Sequence, residues 1–211
     1  MPLKPYSDSL IFASFAEMLD YPHPGLARGV RKTAEILAAD RGKASALLEQ
    51  FGNFVETTPA GRVEEIYTAT FDFVGAFHPY IGHHLLGDSY KRSVLLLGLK
   101  ERYRSFGFDA GIELPDHLAV VLRFLAACGD AKLGEELISE ALLPALSKML
   151  GEEPAGCIPN QAQDDGFVDA GKSETPAPKP GSYRLVLQAL KAVLEPQPLD
   201  ASDTSTKRER T

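Results

Sequence analysis

The sequence predicts an all-α fold, a single-domain bundle of about seven to nine helices, and three observations predict it. Apolar residues recur at i, i+3, i+4 and i+7 through most of the chain; no segment alternates apolar and polar residues as a half-buried strand would; and Gly, Pro, Asp and Ser fall between the stripes, where helices stop and start. The 211 residues, 44% hydrophobic and 24% charged, suffice for one sizeable core and fall short of the usual two-domain length.

Ser7 or Asp8 is placed to cap a first helix in which Phe12, Phe15, Ala16 and Leu19 share a face, ended by Tyr21-Pro22-His23-Pro24-Gly25. This opening could be mistaken for a secretory leader, but Glu17 interrupts its apolar run and the apolar spacing is helical, so it reads as a folded helix. Leu26, Val30, Thr33 and Leu37 make a second stripe, Leu47, Phe51, Phe54 and Val55 a third, and Val63, Ile66, Tyr67, Thr70 and Phe71 a fourth. Between Asp72 and Gly87 three glycines and a proline predict a shaped loop with at most one short turn. Asp88 or Ser89 then starts a helix reaching Phe106, with Leu96, Leu99, Tyr103 and Phe106 on one side. Pro115 suits the first position of the next helix, whose stripe of Leu118, Val121, Leu122, Leu125 and Cys128 ends at Gly129. Asp130 caps a further helix through Leu133, Leu137, Ile138 and Ala141, in which Pro144 imposes a kink or a restart. Residues 1–150 thus form the helical domain, 151–181 a flexible linker without period, and 196–211 a disordered tail. Between the last two, Ser182 caps a helix over 182–195 that lays Tyr183, Val186, Leu187, Leu190 and Leu194 on the same domain.

Charge and composition exclude several classes of function. Twenty-two Lys and Arg against 29 Asp and Glu give a net charge of −7, which lacks the cationic excess that nucleic-acid binding draws on. The run from Leu118 to Cys128 is far shorter than the roughly 20 apolar residues of a membrane span. Cys128 and Cys157, with no CxxC and no neighbouring His, fit neither a zinc site nor a disulfide framework, and a reducing cytoplasm is the simplest compartment. No P-loop, GxGxxG, GxSxG or HExxH motif is present.

Three features carry chemistry. His78, His83 and His84, with Asp88, Asp116 and His117, supply imidazoles and carboxylates for a metal-dependent hydrolase, although adjacent His83 and His84 point to different sides of any regular element. At the start of the Pro115 helix, Asp116 in the first turn and Arg123 seven residues later fall on one stripe of an otherwise apolar helix, so the two either pair or face a groove. Tyr67, Phe71, Phe73, Phe77, Tyr80 and Tyr90 surround a glycine-rich loop, either as core or as the lining of a cleft that grips a peptide.

Arg62 to Asp72, then His83 to Arg92 leading into Gly98 to Arg104, then Glu113-Leu114-Pro115-Asp116-His117-Leu118 continuing to Ala126, resemble the molybdenum-cofactor assembly chaperones of respiratory nitrate reductase. That family, also called the delta subunit, belongs to the wider class of redox-enzyme maturation proteins, and the similarity spans residue 8 to about residue 195. The resemblance implies an all-helical cytoplasmic chaperone with no catalytic activity and no cofactor of its own. It would bind the N-terminal segment of the nitrate reductase catalytic subunit, touch the molybdenum cofactor machinery transiently at most, and delay membrane docking until the cofactor is in place. Carried onto this sequence, the peptide groove falls on Tyr67, Phe71, Pro79, Tyr80, Asp88, Tyr90, Asp116 and His117, with Glu113 at its edge and Arg123 on the same helix. The loop from Ala76 to His84 keeps a proline and an aromatic residue but departs from the Pro-Trp form of the wider class. An acidic rim suits a basic amphipathic peptide. The competing readings are the hydrolase above and a permanent structural subunit of a respiratory complex.

Overall fold

Each apolar stripe must pack on another element to leave water, and the computed structural model shows which does so. It describes residues 5–71, 77–152 and 181–196. Among these the helices are α1 (Pro5–Met18), α2 (Leu26–Leu37), α3 (Gly42–Thr57), α4 (Ala60–Phe71), α5 (Ile81–Leu86), α6 (Tyr90–Ser105), α7 (Leu118–Cys128), α8 (Ala131–Leu137), α9 (Leu143–Met149) and α10 (Gly181–Leu194). A π-helical turn, Ile138–Leu142, joins α8 to α9; with that run taken as one helix the described residues form nine, and no strand. The all-α expectation holds. The proposed linker and tail lie outside the described residues except for 151, 152 and 196 and for Gly181, which is the first residue of α10; Phe73 and Cys157 lie outside them too.

The main core is a layer in which α1 packs on α7, α2 on α3, and α10 on α3 and α9. Phe15, Ala16, Val30, Leu48, Phe51, Val121, Leu122, Leu142, Leu146, Val186 and Leu190 are buried in it. A second, smaller core joins α6 to α7: Tyr103, Phe106 and Phe108 all set their rings against Phe124, at centroid separations of 4.6–5.6 Å. Gly129 ends α7 at φ 63°, a left-handed position open to glycine at no steric cost. The Asp130 carboxylate accepts the Leu133 N–H at 3.1 Å, so the expected cap of α8 is present.

Four boundaries differ from expectation. The first helix begins at Pro5, before Ser7 and Asp8. The 72–87 loop contains a six-residue helix, α5, because Gly82 is needed inside it for close packing rather than as a breaker. Helix α7 begins at Leu118, not Pro115, since His117 (φ −66°, ψ 130°) is held extended by pairing with Tyr80. Ser182 is the second residue of α10, and its hydroxyl is buried without a partner among the described residues instead of capping. At Pro144 the regular helix restarts after a wide turn: the Leu143 N–H reaches back five residues to the Ile138 carbonyl, α9 begins there with the proline in its first turn, and the wide turn accommodates a ring that a regular turn would clash with.

The aromatic cluster on Phe124 predicts a large cost of truncation. Phe124→Ala removes the ring that three others share and is expected to lower stability by about 3–5 kcal/mol, read by chemical denaturation.

Candidate functional site

The segment before α5 and the segment before α7 meet in a short antiparallel bridge between Tyr80 and His117. Ile81 donates its N–H to the Asp116 carbonyl at 2.9 Å, and Leu118 donates to the Pro79 carbonyl at 2.7 Å. The pairing satisfies backbone groups at two helix starts that would otherwise be orphaned. It also places the Tyr80 ring edge-on to His117, with centroids 5.5 Å apart.

Beneath this bridge the Asp116 carboxylate is wholly buried. Its Oδ2 accepts from Arg92 Nε on α6 at 3.1 Å, and Arg92 Nη1 reaches on to Asp88 at 3.1 Å. The same guanidinium lies 5.5 Å from the centre of the Tyr80 ring. Gly82 closes the arrangement from α5: a Cβ there would stand 2.6 Å from Asp116 Oδ2 and 3.1 Å from Leu95. The Tyr103 hydroxyl donates to the Pro115 carbonyl at 2.8 Å; burial first, then the neighbouring Asp116 charge, raises its pKa far above the usual phenol range. Asp116 Oδ1 and His117 Nδ1 are buried with no hydrogen-bond partner among the described residues.

Asp116 therefore does not sit in the first turn of a helix, and it does not pair with Arg123. The extended conformation at His117 leaves it one residue outside α7, where Arg92 is its counter-ion. Arg123, further along α7, pairs with Asp20 just past the end of α1. Both charges that the stripe would have left unpaired thus find partners from other elements.

The expected peptide-site residues fall in separate places. Pro79, Tyr80, Asp88, Asp116 and His117 come together at the bridge, and Tyr90, 83% exposed, opens α6 two residues after Asp88. Glu113 is exposed on the approach to α7, near enough to act electrostatically on His117. Phe71 is instead buried in the main core, and Phe77 with it. Half-buried Tyr67 donates its hydroxyl to the Leu19 carbonyl at 3.1 Å and lays its ring against Tyr21, Phe71 and Tyr183. These rings pack the junction of α4, α10 and the end of α1. Arg92 and Gly82 were missed: the i, i+4 spacing of Asp88 and Arg92 signals the first, whereas nothing local distinguishes Gly82 from a loop glycine.

The histidines are placed by ordinary packing. His84 Nε2 lies 2.8 Å from the His78 carbonyl, and His83 Nδ1 lies 3.5 Å from Asp88. Among the described residues no group of three His, Cys, Asp or Glu is positioned to hold a metal ion, so the hydrolase cluster drawn from sequence is not assembled there. No helix among them is long and apolar enough to cross a membrane.

Residues 35–153 match the family described as nitrate reductase delta subunit, a narrower span than the resemblance over residues 8 to 195. No curated protein matches the chain.

Burial pushes both His84 and His117 below the ordinary value of 6.5. On unfolding each returns toward that value and takes up protons, so the stability carried by the neutral rings is present above about pH 6.5 and is lost as the pH falls below it. The denaturation midpoint is expected to drop between about pH 7 and about pH 5, and to drop less in the His84→Gln, His117→Gln double variant. Gly82→Ala should cost about 1–3 kcal/mol, because the added methyl displaces the buried carboxylate that Arg92 holds; thermal unfolding reads this directly.

Proposed function

The chain belongs to the nitrate reductase delta subunit family, whose members act as chaperones in nitrate reductase assembly, and on that premise we propose how this one engages its client. The family is one of maturation chaperones rather than of catalytic enzymes, and it implies interaction with the nitrate reductase catalytic subunit. The N-terminal segment of that subunit binds across the Tyr80–His117 bridge, with Tyr90 and Tyr80 as ring contacts and Asp88 and Glu113 at the rim. While bound, the segment holds the subunit back from membrane docking until the molybdenum cofactor is inserted in the cytoplasm.

The observation that supports this reading best is the location of a large exposed aromatic, Tyr90, beside exposed carboxylates on a rigid frame. Tyr90 is 83% exposed and Asp88 is exposed, yet the loop carrying them is fixed from below by the Asp116–Arg92 pair. A peptide arriving there meets a surface already ordered, which lowers the entropic cost of binding. An apolar anchor against the rings would supply most of the affinity, while exposed ion pairs at the rim contribute about 0–1 kcal/mol each and act on encounter rate.

A synthetic peptide of the catalytic subunit's N-terminus is therefore expected to bind the full chain. Tyr90→Ala should weaken it about tenfold with little change in melting temperature. Asp88→Asn with Glu113→Gln should mainly reduce the salt dependence of association. Unchanged affinity in Tyr90→Ala and unchanged salt dependence in the paired variant would exclude this site.

A further inference from the structure

Six of the nine exposed large hydrophobic residues of the described chain lie between Tyr90 and Leu114, and three of them share one face of α6. Tyr90, Val94 and Leu97 are 83%, 53% and 59% exposed, at i, i+4 and i+7, a stripe about 10 Å long. The opposite side of the helix carries Leu95, Leu99 and Tyr103, packed with Phe124 and Leu133 in the smaller core. Helix α6 is thus apolar on two opposed faces, and only one is covered. A helix face that merely meets water does not need three large apolar side chains in register.

The edges of this stripe are cationic. Lys100 and Arg104 run along one side and Lys91 and Arg102 along the other, all exposed. No carboxylate among the described residues pairs with any of these four, whereas the fifth base of the helix, Arg92, is turned inward onto Asp116 and Asp88. Five bases against one acid, Glu101, in a 16-residue helix stand out in a chain whose net charge is −7.

We propose that the outward face of α6 is a docking surface for a protein segment that presents apolar side chains between acidic ones. Charge selects this occupant. A second copy of the chain would set four cations against four cations. An anionic bilayer would attract the patch but repel the remaining surface, and three apolar side chains bury little against the area that holds an amphipathic helix at a membrane. The segment prefers the opposite sign from a basic peptide at the bridge, so the two surfaces can be occupied by different partners. The inference goes beyond the reading of the bridge and does not depend on it. Tyr90 lies where the surfaces meet, and the test leaves it in place.

The probe is a helical peptide of about 16 residues with Leu at i, i+4 and i+7 flanked by Glu, compared with its Lys-flanked counterpart. Titrated onto the full chain, the Glu-flanked peptide is expected to bind about tenfold more tightly than the other. Val94→Asp with Leu97→Asp should abolish that binding, and Lys100→Glu with Arg104→Glu, which leaves as many negative as positive charges at the edges, should remove the preference while retaining the anchors. Both paired variants should melt near the wild-type temperature and keep their affinity for the client's N-terminal peptide, which separates failure here from failure at the bridge. No binding by either peptide, equal binding by both, or a preference unaltered in the charge-reversed variant overturns the proposal. So does self-association, or flotation with phosphatidylserine vesicles, that the Val94→Asp, Leu97→Asp variant abolishes.

Discussion

A carboxylate with no access to water fixes how three helices meet. Asp116 lies outside any helix, yet its environment is built by three: Arg92 of α6 supplies the counter-charge, Gly82 of α5 allows the approach, and α7 starts one residue beyond it. Burying an ion is costly unless good geometry and further hydrogen bonds offset the lost hydration. Here the guanidinium is bound at both ends, to Asp116 and Asp88, and lies near the face of Tyr80, so α6 cannot slide along α7 without exposing an unpaired charge. A hydrophobic contact would tolerate such sliding; a directional pair does not. The bridge at Tyr80 and His117, with its backbone bonds in both directions, extends the same fixation to the loop before α5.

The fold was legible because the periods are strong, and the exceptions have identifiable causes. Stripes such as Leu26, Val30, Thr33 and Leu37 need only one rule, a wet side and a dry side, and all four are buried as that rule requires. Short α5 was hidden because its glycine and paired histidines read as loop, and the reason for the glycine is an oxygen atom 34 residues away in sequence. The start of α7 was displaced by three residues because a tertiary bridge overrode the preference of Pro115 for a first helical turn.

The site was legible in part for the same reason. That Asp116 and Arg123 needed partners followed from burial alone; which partners they take depends on α6 and α1, and no spacing along α7 could reveal them. Phe71 and Tyr67 illustrate the converse. Their positions on the α4 stripe pointed to packing, and the structure buries Phe71 in the core and leaves Tyr67 half-buried against Phe71 and Tyr183. The order in which chemistry becomes visible is thus physical: local periodicity first, then the need for a counter-charge, and last its identity. Membership of a chaperone family supplies what geometry does not, a role in nitrate reductase assembly.

The π turn between α8 and α9 gives the chain a freedom that a continuous helix lacks. One surplus residue in a turn rotates everything beyond it by about 100° around the axis. Leu133 faces the ring cluster of the smaller core, while Ile138, ahead of the surplus residue, and Leu142, Leu146 and Met149, beyond it, face the larger one. A single rod serves two cores at different azimuths, with no loop between them to lengthen, fray or be cut. The wide turn lets a proline, which a regular turn would exclude, sit inside this one length of helix without dividing it.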